Sequence, residues 1–282
     1  MSGSQSLATI LAVERAADGE FVAQFRGWGT GAAFGGDAIG RAVLAAALDC
    51  GGKHLHALHA SFLRPLPSTA PIRFRVEALS DGMRLARRRV RIEHDDRLLC
   101  DVTVSFAAPG DGVAWQESAP PVGVPAPEEL RSDEAIAREE KWATFRLDRE
   151  EIECRWIGRP WEPAGEGESS AWLAWVRPRV PLPDDARVHA AALAYLSDHS
   201  SHWCAGRRVG AAFDWNGFVS LEHTLFVHRV ARWDDWWLVA NMGDVANDGR
   251  SFWRREVWAR DGALVASIAQ HGLIATLRAG SR

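Results

Sequence analysis

Three polar side chains stand in otherwise apolar runs of the second half of this 282-residue chain: Asp198 in LAYLSDHSSHW, Ser220 in FVSLEHTLFVHR and Gln270 in ALVASIAQHGLIA. A carboxylate, a hydroxyl and an amide are suited to holding and polarising one water molecule. The carboxylate takes its proton while the other two orient it. The chemistry indicated is hydrolysis by an activated water. Each residue also has an ordinary reading. An Asp near a helix end can hydrogen-bond in the following turn, and a Ser and a Gln are common strand polars, so the weight of all three rests on Asp198.

Other site chemistries find less in the sequence. Cys50, Cys100, Cys154 and Cys204 lie far apart with no CxxC pair, which suggests neither a zinc site nor a disulfide framework and favours a reducing compartment. His54, His56, His59, His223, His228 and His271 alternate along strand-like runs without a carboxylate-rich partner motif or HExxH, and read as packed or surface histidines; no metal or cofactor is expected. GWGTGAAFGG lacks the spacing of a nucleotide loop, and GxSxG is absent. Arg87, Arg88, Arg89 and Arg91 fall on one strand and so point to both faces. A solvated face is their default reading, with contact to the phosphates of a CoA-like carrier as the alternative.

The elements that must position the three residues follow from periodicity. Residues 7–26 hold two short apolar runs, LATILAV and FVAQF, split by AADGE, which predicts a hairpin. DAIGRAVLAAALD predicts an apolar helix that a sheet must wrap, and HLHALHASFLRP, PIRFRVEAL, RLARRRVRIEH and RLLCDVTVSFAAP then alternate as strands. The breaks fall at Pro65–Pro71, Asp81–Gly82 and Asp95–Asp96. Residues from about 108 to 138, rich in Pro, Gly and acids, read as a linker. A second cycle follows. ATFRLDREEIECRWIG and SSAWLAWVRPRVP are expected as strands, DARVHAAALAYLSDHSSHWCA as one Ala-rich helix, and GFVSLEHTLFVHR, WWLVANMGDVA, SFWRREVWARD and ALVASIAQHGLIA as the closing meander.

The two cycles overlay. HASFLRP lies over HTLFVHR, RRRVRIEHDDRLLCDVTVSF over RREVWARDGALVASIAQHG, and AVLAAALD over AALAYLSD. An internal duplication is expected. The overlay sets Asp49 opposite Asp198 but His56 opposite Ser220 and Val104 opposite Gln270. Asp49 therefore reads as structural, with one active site per chain. The expected architecture is α+β: two tandem antiparallel sheets, each wrapping a central helix, joined edge to edge into one continuous sheet. The expected division is residues 1–108, a linker 109–138, and 139–282 carrying the active site.

Composition narrows the partner. A formal net charge of −4 gives no pull toward nucleic acid or anionic membrane. No run approaches transmembrane length, and MSGSQSLATILAV does not read as a signal peptide, so a cytoplasmic setting and a small-molecule partner are expected. Trp is abundant, at 14 residues against one Tyr. Core packing is its ordinary use, although Trp172, Trp175, Trp203 and Trp215 flank the three polar residues in sequence and are candidates for an acyl pocket.

AFGGDAIGRAVLAAA, LHASFLRP, ALSDGMRLARRRV and CDVTVSFAAP resemble the N-terminal half of the acyl-CoA thioesterase II family, whose fold is a double hotdog. LAYLSD, SLEHTLFVHR and DGALVASIAQHG resemble its C-terminal half. The likeness runs from about residue 20 to 275. It implies an acyl-CoA thioesterase in which Asp198, Ser220 and Gln270 match the family's water-binding Asp, Thr or Ser, and Gln, with an acyl-CoA or related acyl thioester as substrate. Two departures stand out: Asp37 where Gln is common, and Glu222 in place of Asp. Residues 199–216, with Arg207 and Arg208, fall where the family varies. A hotdog hydratase acting on enoyl or hydroxyacyl thioesters and a non-catalytic acyl-binding protein are the alternatives. Assembly into a homo-oligomer stays open.

Overall fold

A computed structural model describes residues 5–25, 33–139, 151–200, 202–210, 213, 217–230 and 232–275. In the first half, α1 (Leu7–Ile10) precedes β1 (Glu14–Ala17), β2 (Glu20–Gln24) and the central helix α2 (Gly35–Ala47). The strands β3 (His54–Phe62), β4 (Pro71–Asp81), β5 (Leu85–His94) and β6 (Arg97–Ala107) follow. In the second half come α3 (Asp133–Glu139), β7 (Ile152–Ile157), β8 (Trp172–Pro178), the central helix α4 (Ala186–Ser197), and α5 (Trp203–Val209). The strands β9 (Val219–Val227), β10 (Trp237–Asn247), β11 (Arg250–Ala259) and β12 (Leu264–Leu273) close it.

Among the described residues the strands form one antiparallel sheet in the order β1-β2-β4-β5-β6-β3-β9-β12-β11-β10-β8-β7. The second six repeat the order of the first six in reverse, as a duplicated unit joined to itself edge to edge must. The joint is the β3–β9 ladder, where His59 pairs with Thr224 and Ala60 with His223. Those two pairs straddle the point about which the overlaid repeats are symmetric, so the register agrees with the alignment of HASFLRP on HTLFVHR. Fusing these strands removes the exposed edge that each half would otherwise present. The result is the expected α+β double hotdog.

The side-chain pattern explains the layers. On β5, Ala86, Arg88, Val90 and Ile92 face the interior while Arg87, Arg89 and Arg91 face outward, the period of two of a half-buried strand. The two central helices are buried along nearly their whole length and lie against each other as well as the sheet. Gly36 and Gly40, one turn apart on α2, allow that approach. A Cβ on Gly36 would stand 2.5 Å from the Tyr195 carbonyl oxygen, and one on Gly40 would stand 3.0 Å from that of Ala191.

Three expectations need correction. LATILAV is no hairpin arm: Ser6 caps a turn of helix by accepting from the Thr9 N–H, and Leu7, Ile10 and Leu11 are buried at helical spacing. The hairpin is instead β1 with β2. The long Ala-rich helix is two, because α4 stops at Ser197, Ser200 takes a left-handed φ of 54°, and α5 starts only at Trp203. The expected linker is partly built into the structure. Asp133 at the start of α3 is buried, accepts from the Cys154 N–H and pairs with Arg179 at 2.6 Å, while the Pro125 carbonyl accepts from the Trp175 indole. Of the strand expected from ATFRLDREEIECRWIG, Ile152–Ile157 is observed and the part before residue 151 lies outside the described residues. No helix among the described residues is long and apolar enough to cross a membrane.

Candidate active site

Asp198 is the C-cap residue of α4, at φ −95° and ψ −5°. The helix that carries it starts at an Asp185 cap, which accepts from the Arg187 N–H, and consists mainly of Ala and Leu, which favour helix. Ser220 lies on β9 and Gln270 on the adjacent β12. Their side chains meet because of an irregularity in the ladder. Gln270 pairs with His223 and His271 with Glu222, but Gly272 pairs with Ser220, leaving Leu221 as the extra residue of a bulge. Without that bulge, Ser220, three residues from His223, would point to the opposite face. The extra residue turns it onto the face that Gln270 and His223 share.

The three predicted residues form one hydrogen-bonded group. Gln270 Nε2 donates to Asp198 Oδ1 at 2.6 Å and to Ser220 Oγ at 2.8 Å, and Ser220 Oγ donates to Asp198 Oδ1 at 3.3 Å. Asp198 is 5% exposed and Gln270 1%, while Ser220 is half-buried. The other carboxylate oxygen faces the opposite half of the molecule: a Cβ on Gly35, the first residue of α2, would stand 2.7 Å from Asp198 Oδ2 and 3.1 Å from the Phe62 ring. The carboxylate thus lies over the amino-terminal turn of α2, where backbone N–H groups and the helix dipole favour negative charge. Both halves build the site.

Two residues beneath this group were not singled out by the sequence. His223 is fully buried; its Nδ1 stands 2.8 Å from Gln270 Oε1 and its Nε2 2.8 Å from Ser197 Oγ. Burial pushes its pKa below the usual histidine value. The histidine spacing leaves it as a packed or surface residue; it is packed, and the spacing gives no sign of its partner. Arg255 is 1% exposed and donates to the carbonyls of Leu196 and His199, the residues on either side of the Ser197–Asp198 pair, and to Asn241 Oδ1. Burial pulls its pKa down to about 10 against the opposing attraction of Asp198. A signal for Arg255 did exist. The overlay sets it on Arg88, and Arg88 Nη2 donates at 2.8 Å to the carbonyl of Asp49. Each half thus braces the end of its central helix with the same strand arginine.

The remaining candidates divide plainly. Asp49 is exposed, Val104 is buried and His56 is half-buried, so of the water-holding group only the Asp recurs at these positions, and there it is exposed. Asp37 accepts from Arg41 Nε at 2.6 Å in a buried pair, and Arg41 Nη1 reaches the Ala12 carbonyl, so this departure ties α2 to the amino-terminal segment. Glu222 accepts from Ser61 Oγ across the β3–β9 joint. Among the arginine run, Arg89 pairs with Asp101, Arg91 with Glu93, and Arg87 donates to Ser105. Arg207 and Arg208 donate to backbone carbonyls of Arg159, Glu162 and Glu168.

Trp172 and Trp203 join Trp156 in an aromatic cluster, with Trp156 and Trp203 stacked at 4.8 Å. Trp175 packs elsewhere, with Trp236 and Trp258. Trp215 and residues 27–32 of the glycine-rich run lie outside the described residues. Other aromatic residues lie beside the group: Trp253 pairs with Gln270 in the β11–β12 ladder, and Phe218 packs on Trp253 at 5.3 Å. A depression of about 530 Å³ bounded by Arg64, Pro65, Pro67, His94, Asp95, Arg97 and Leu99 has none of the three residues in its lining.

Comparison with known proteins gives concordant findings. Residues 25–107 match the acyl-CoA thioesterase N-terminal domain and residues 121–274 the acyl-CoA thioesterase C-terminal domain. Acyl-CoA thioesterase 2 of Haemophilus influenzae is 27% identical, covering 95% of this chain and 96% of that protein. Acyl-coenzyme A thioesterase 8 of Rattus norvegicus is 28% identical over 86% of this chain and 79% of its own length. The crystal structure of the acyl-CoA thioesterase II TesB2 from Mycobacterium marinum superposes with a TM-score of 0.79 at 26% identity, covering 97% of this chain and 99% of that one.

Proposed function

The chain belongs to the acyl-CoA thioesterase II family and is a thioester hydrolase, and we propose that Asp198, Ser220 and Gln270 activate the water that attacks the thioester. The observation that carries this reading is the closed triangle of hydrogen bonds joining a carboxylate, a hydroxyl and an amide at 2.6–3.3 Å. A water bound against this group loses its proton to the Asp198 carboxylate as its oxygen attacks the carbonyl carbon. The tetrahedral intermediate then collapses, breaking the carbon–sulfur bond. The departing thiolate recovers the proton from Asp198, leaving free acid and CoA. General-base assistance of this kind is worth about 10²–10⁴-fold. No covalent acyl-enzyme is needed.

The negative charge that develops on the carbonyl oxygen calls for preorganised donors. The amino-terminal turn of α2 suits this role: Phe34 at its N-cap supplies no side-chain hydrogen bond to the turn's N–H groups, and Gly35 brings the backbone close to the Asp198 carboxylate. The substrate carbonyl would then sit between α2 of one half and Asp198 of the other.

The functional division is read as 1–108, 109–138 and 139–282; the matched segment 25–107 supports its first boundary, while the second match, 121–274, begins within the connecting segment. A cytoplasmic setting is supported by four buried cysteines that all remain free thiols. A role in lipid metabolism follows from the acyl-CoA substrate. Acyl preference is read by thiol release from short, medium, long and aromatic acyl-CoAs. In the same assay Asp198→Asn is expected to lower kcat about 10²–10⁴-fold with its urea unfolding midpoint kept; full turnover by a folded D198N protein would refute the mechanism.

A further inference from the structure

His223 stands directly across the β9–β12 ladder from Gln270 and is the one described side chain placed against the amide's carbonyl end, with Nδ1 2.8 Å from Oε1. The hydrogens around it can be accounted for. Gln270 Oε1 only accepts, so Nδ1 must carry the proton in this bond. If the amide were turned over, its carbonyl oxygen would face Asp198 Oδ1 at 2.6 Å with no proton between two acceptors. The Ser197 hydroxyl, 2.8 Å from Nε2, has one hydrogen to divide between that nitrogen and the Ala194 carbonyl at 2.6 Å, and donating it to Nε2 leaves the ring with Nδ1–H alone. Burial, which disfavours the charged ring, agrees with this single-proton arrangement.

The repeat provides a contrast. His59, which overlays on His223, has a side chain more than half exposed and hydrogen-bonds to Thr224 Oγ1. A buried, doubly hydrogen-bonded histidine occurs at this repeat position only in the half that holds Gln270, which makes simple inheritance of a packing residue an insufficient account.

Building on the role proposed for the three residues, we propose that His223 is a positioning residue: its Nδ1–H fixes the Gln270 amide so that both amide hydrogens address Asp198 and Ser220. It touches neither water nor substrate. Without that bond the amide can rotate about its terminal torsion, which is broad and nearly two-fold, and the carboxylate loses its fixed donor.

The test is a variant series assayed on an acyl-CoA that the wild type turns over. His223→Leu keeps the ring's approximate bulk without a donor and should lower kcat about 10–100-fold while KM moves less than about threefold. His223→Asn sets an amide nitrogen the same number of bonds from Cα as Nδ1 and should recover about tenfold or more of that loss. In a Gln270→Ala background the added His223→Leu change should cost less than about twofold, because the group it positions is gone.

Equal losses in the Leu and Asn variants, or a His223→Leu penalty undiminished in the Gln270→Ala background, would overturn the proposal. Should His223→Leu fail to fold, ¹⁵N NMR of the wild-type ring decides it: a protonated Nδ1 with bare Nε2 is expected, and the opposite tautomer overturns it. Full activity of Asp198→Asn would instead refute the underlying trio, so the two failures are distinguishable.

Discussion

Asp198 occupies a narrow place. One carboxylate oxygen is held by Gln270 and Ser220, and the other lies against the glycine that opens α2. Gly35 therefore matters through the side chain it lacks. Gly35→Ala would put a methyl 2.7 Å from Asp198 Oδ2 and 3.1 Å from the Phe62 ring, so one of them must move. Since a displacement of about 1 Å at a reacting group can cost about 10²-fold, turnover should fall at least tenfold, roughly, while the circular dichroism spectrum is retained. Unchanged kcat in G35A would show that the carboxylate does not need its observed position. Asp49 supplies the comparison within the same chain: it ends the other central helix, exposed, and has no Ser or Gln opposite it in the repeat.

At the level of elements, the site depends on where α4 stops. Nothing in DARVHAAALAYLSDHSSHWCA forces an end at Ser197. Arg255, on a strand more than fifty residues later, takes the Leu196 and His199 carbonyls as acceptors and thereby fixes the turn that aims Asp198. Removing its guanidinium takes a buried donor from the His199 carbonyl and Asn241 Oδ1, at a cost of about 1–3 kcal/mol each, while the Leu196 carbonyl keeps the His199 N–H. Arg255→Met should therefore destabilise the protein by roughly 2–4 kcal/mol in urea unfolding and also reduce kcat among the molecules that remain folded. Arg88→Met, its counterpart in the first half, should lower stability with no loss of kcat in the folded fraction. Unchanged kcat in folded Arg255→Met protein would mean that the two braces serve stability alone.

The whole molecule adds a dependence on pH. His56, His189, His223 and His228 all have pKa values below the ordinary 6.5, each chiefly because burial disfavours the charged ring. The unfolded chain therefore binds more protons than the native one just below pH 6.5, and stability rises with pH through that window. Unfolding free energy should be level in these histidines above about pH 7 and fall as pH drops through 6.5 toward the native-state values. Chemical denaturation between pH 5 and 8 measures it, and a curve flat from 7 to 5 would contradict the assignment of neutral buried rings. The joint between the halves is also a property of the whole: the carboxylate comes from one and the helix turn beneath it from the other, so the proposed catalytic group is built across the fused sheet.

The sequence by itself determined the strands, the two apolar helices, the duplication and the identity of the three polar residues. Periodicity and side-chain chemistry are local properties, and Asp198, Ser220 and Gln270 each interrupt an apolar run. LATILAV shows where that reasoning ends, since Leu7, Leu11 and Val13 fit alternation while Leu7, Ile10 and Leu11 fit a helical turn, and the cap bond from Thr9 to Ser6 selected the helix. Only the tertiary structure decided the rest: the bulge that turns Ser220 inward, the end of α4 imposed by Arg255, the histidine placed behind Gln270, and the meeting of Asp198 with Gly35. Each of these joins residues far apart in the chain, through hydrogen bonds and packing that no local pattern encodes.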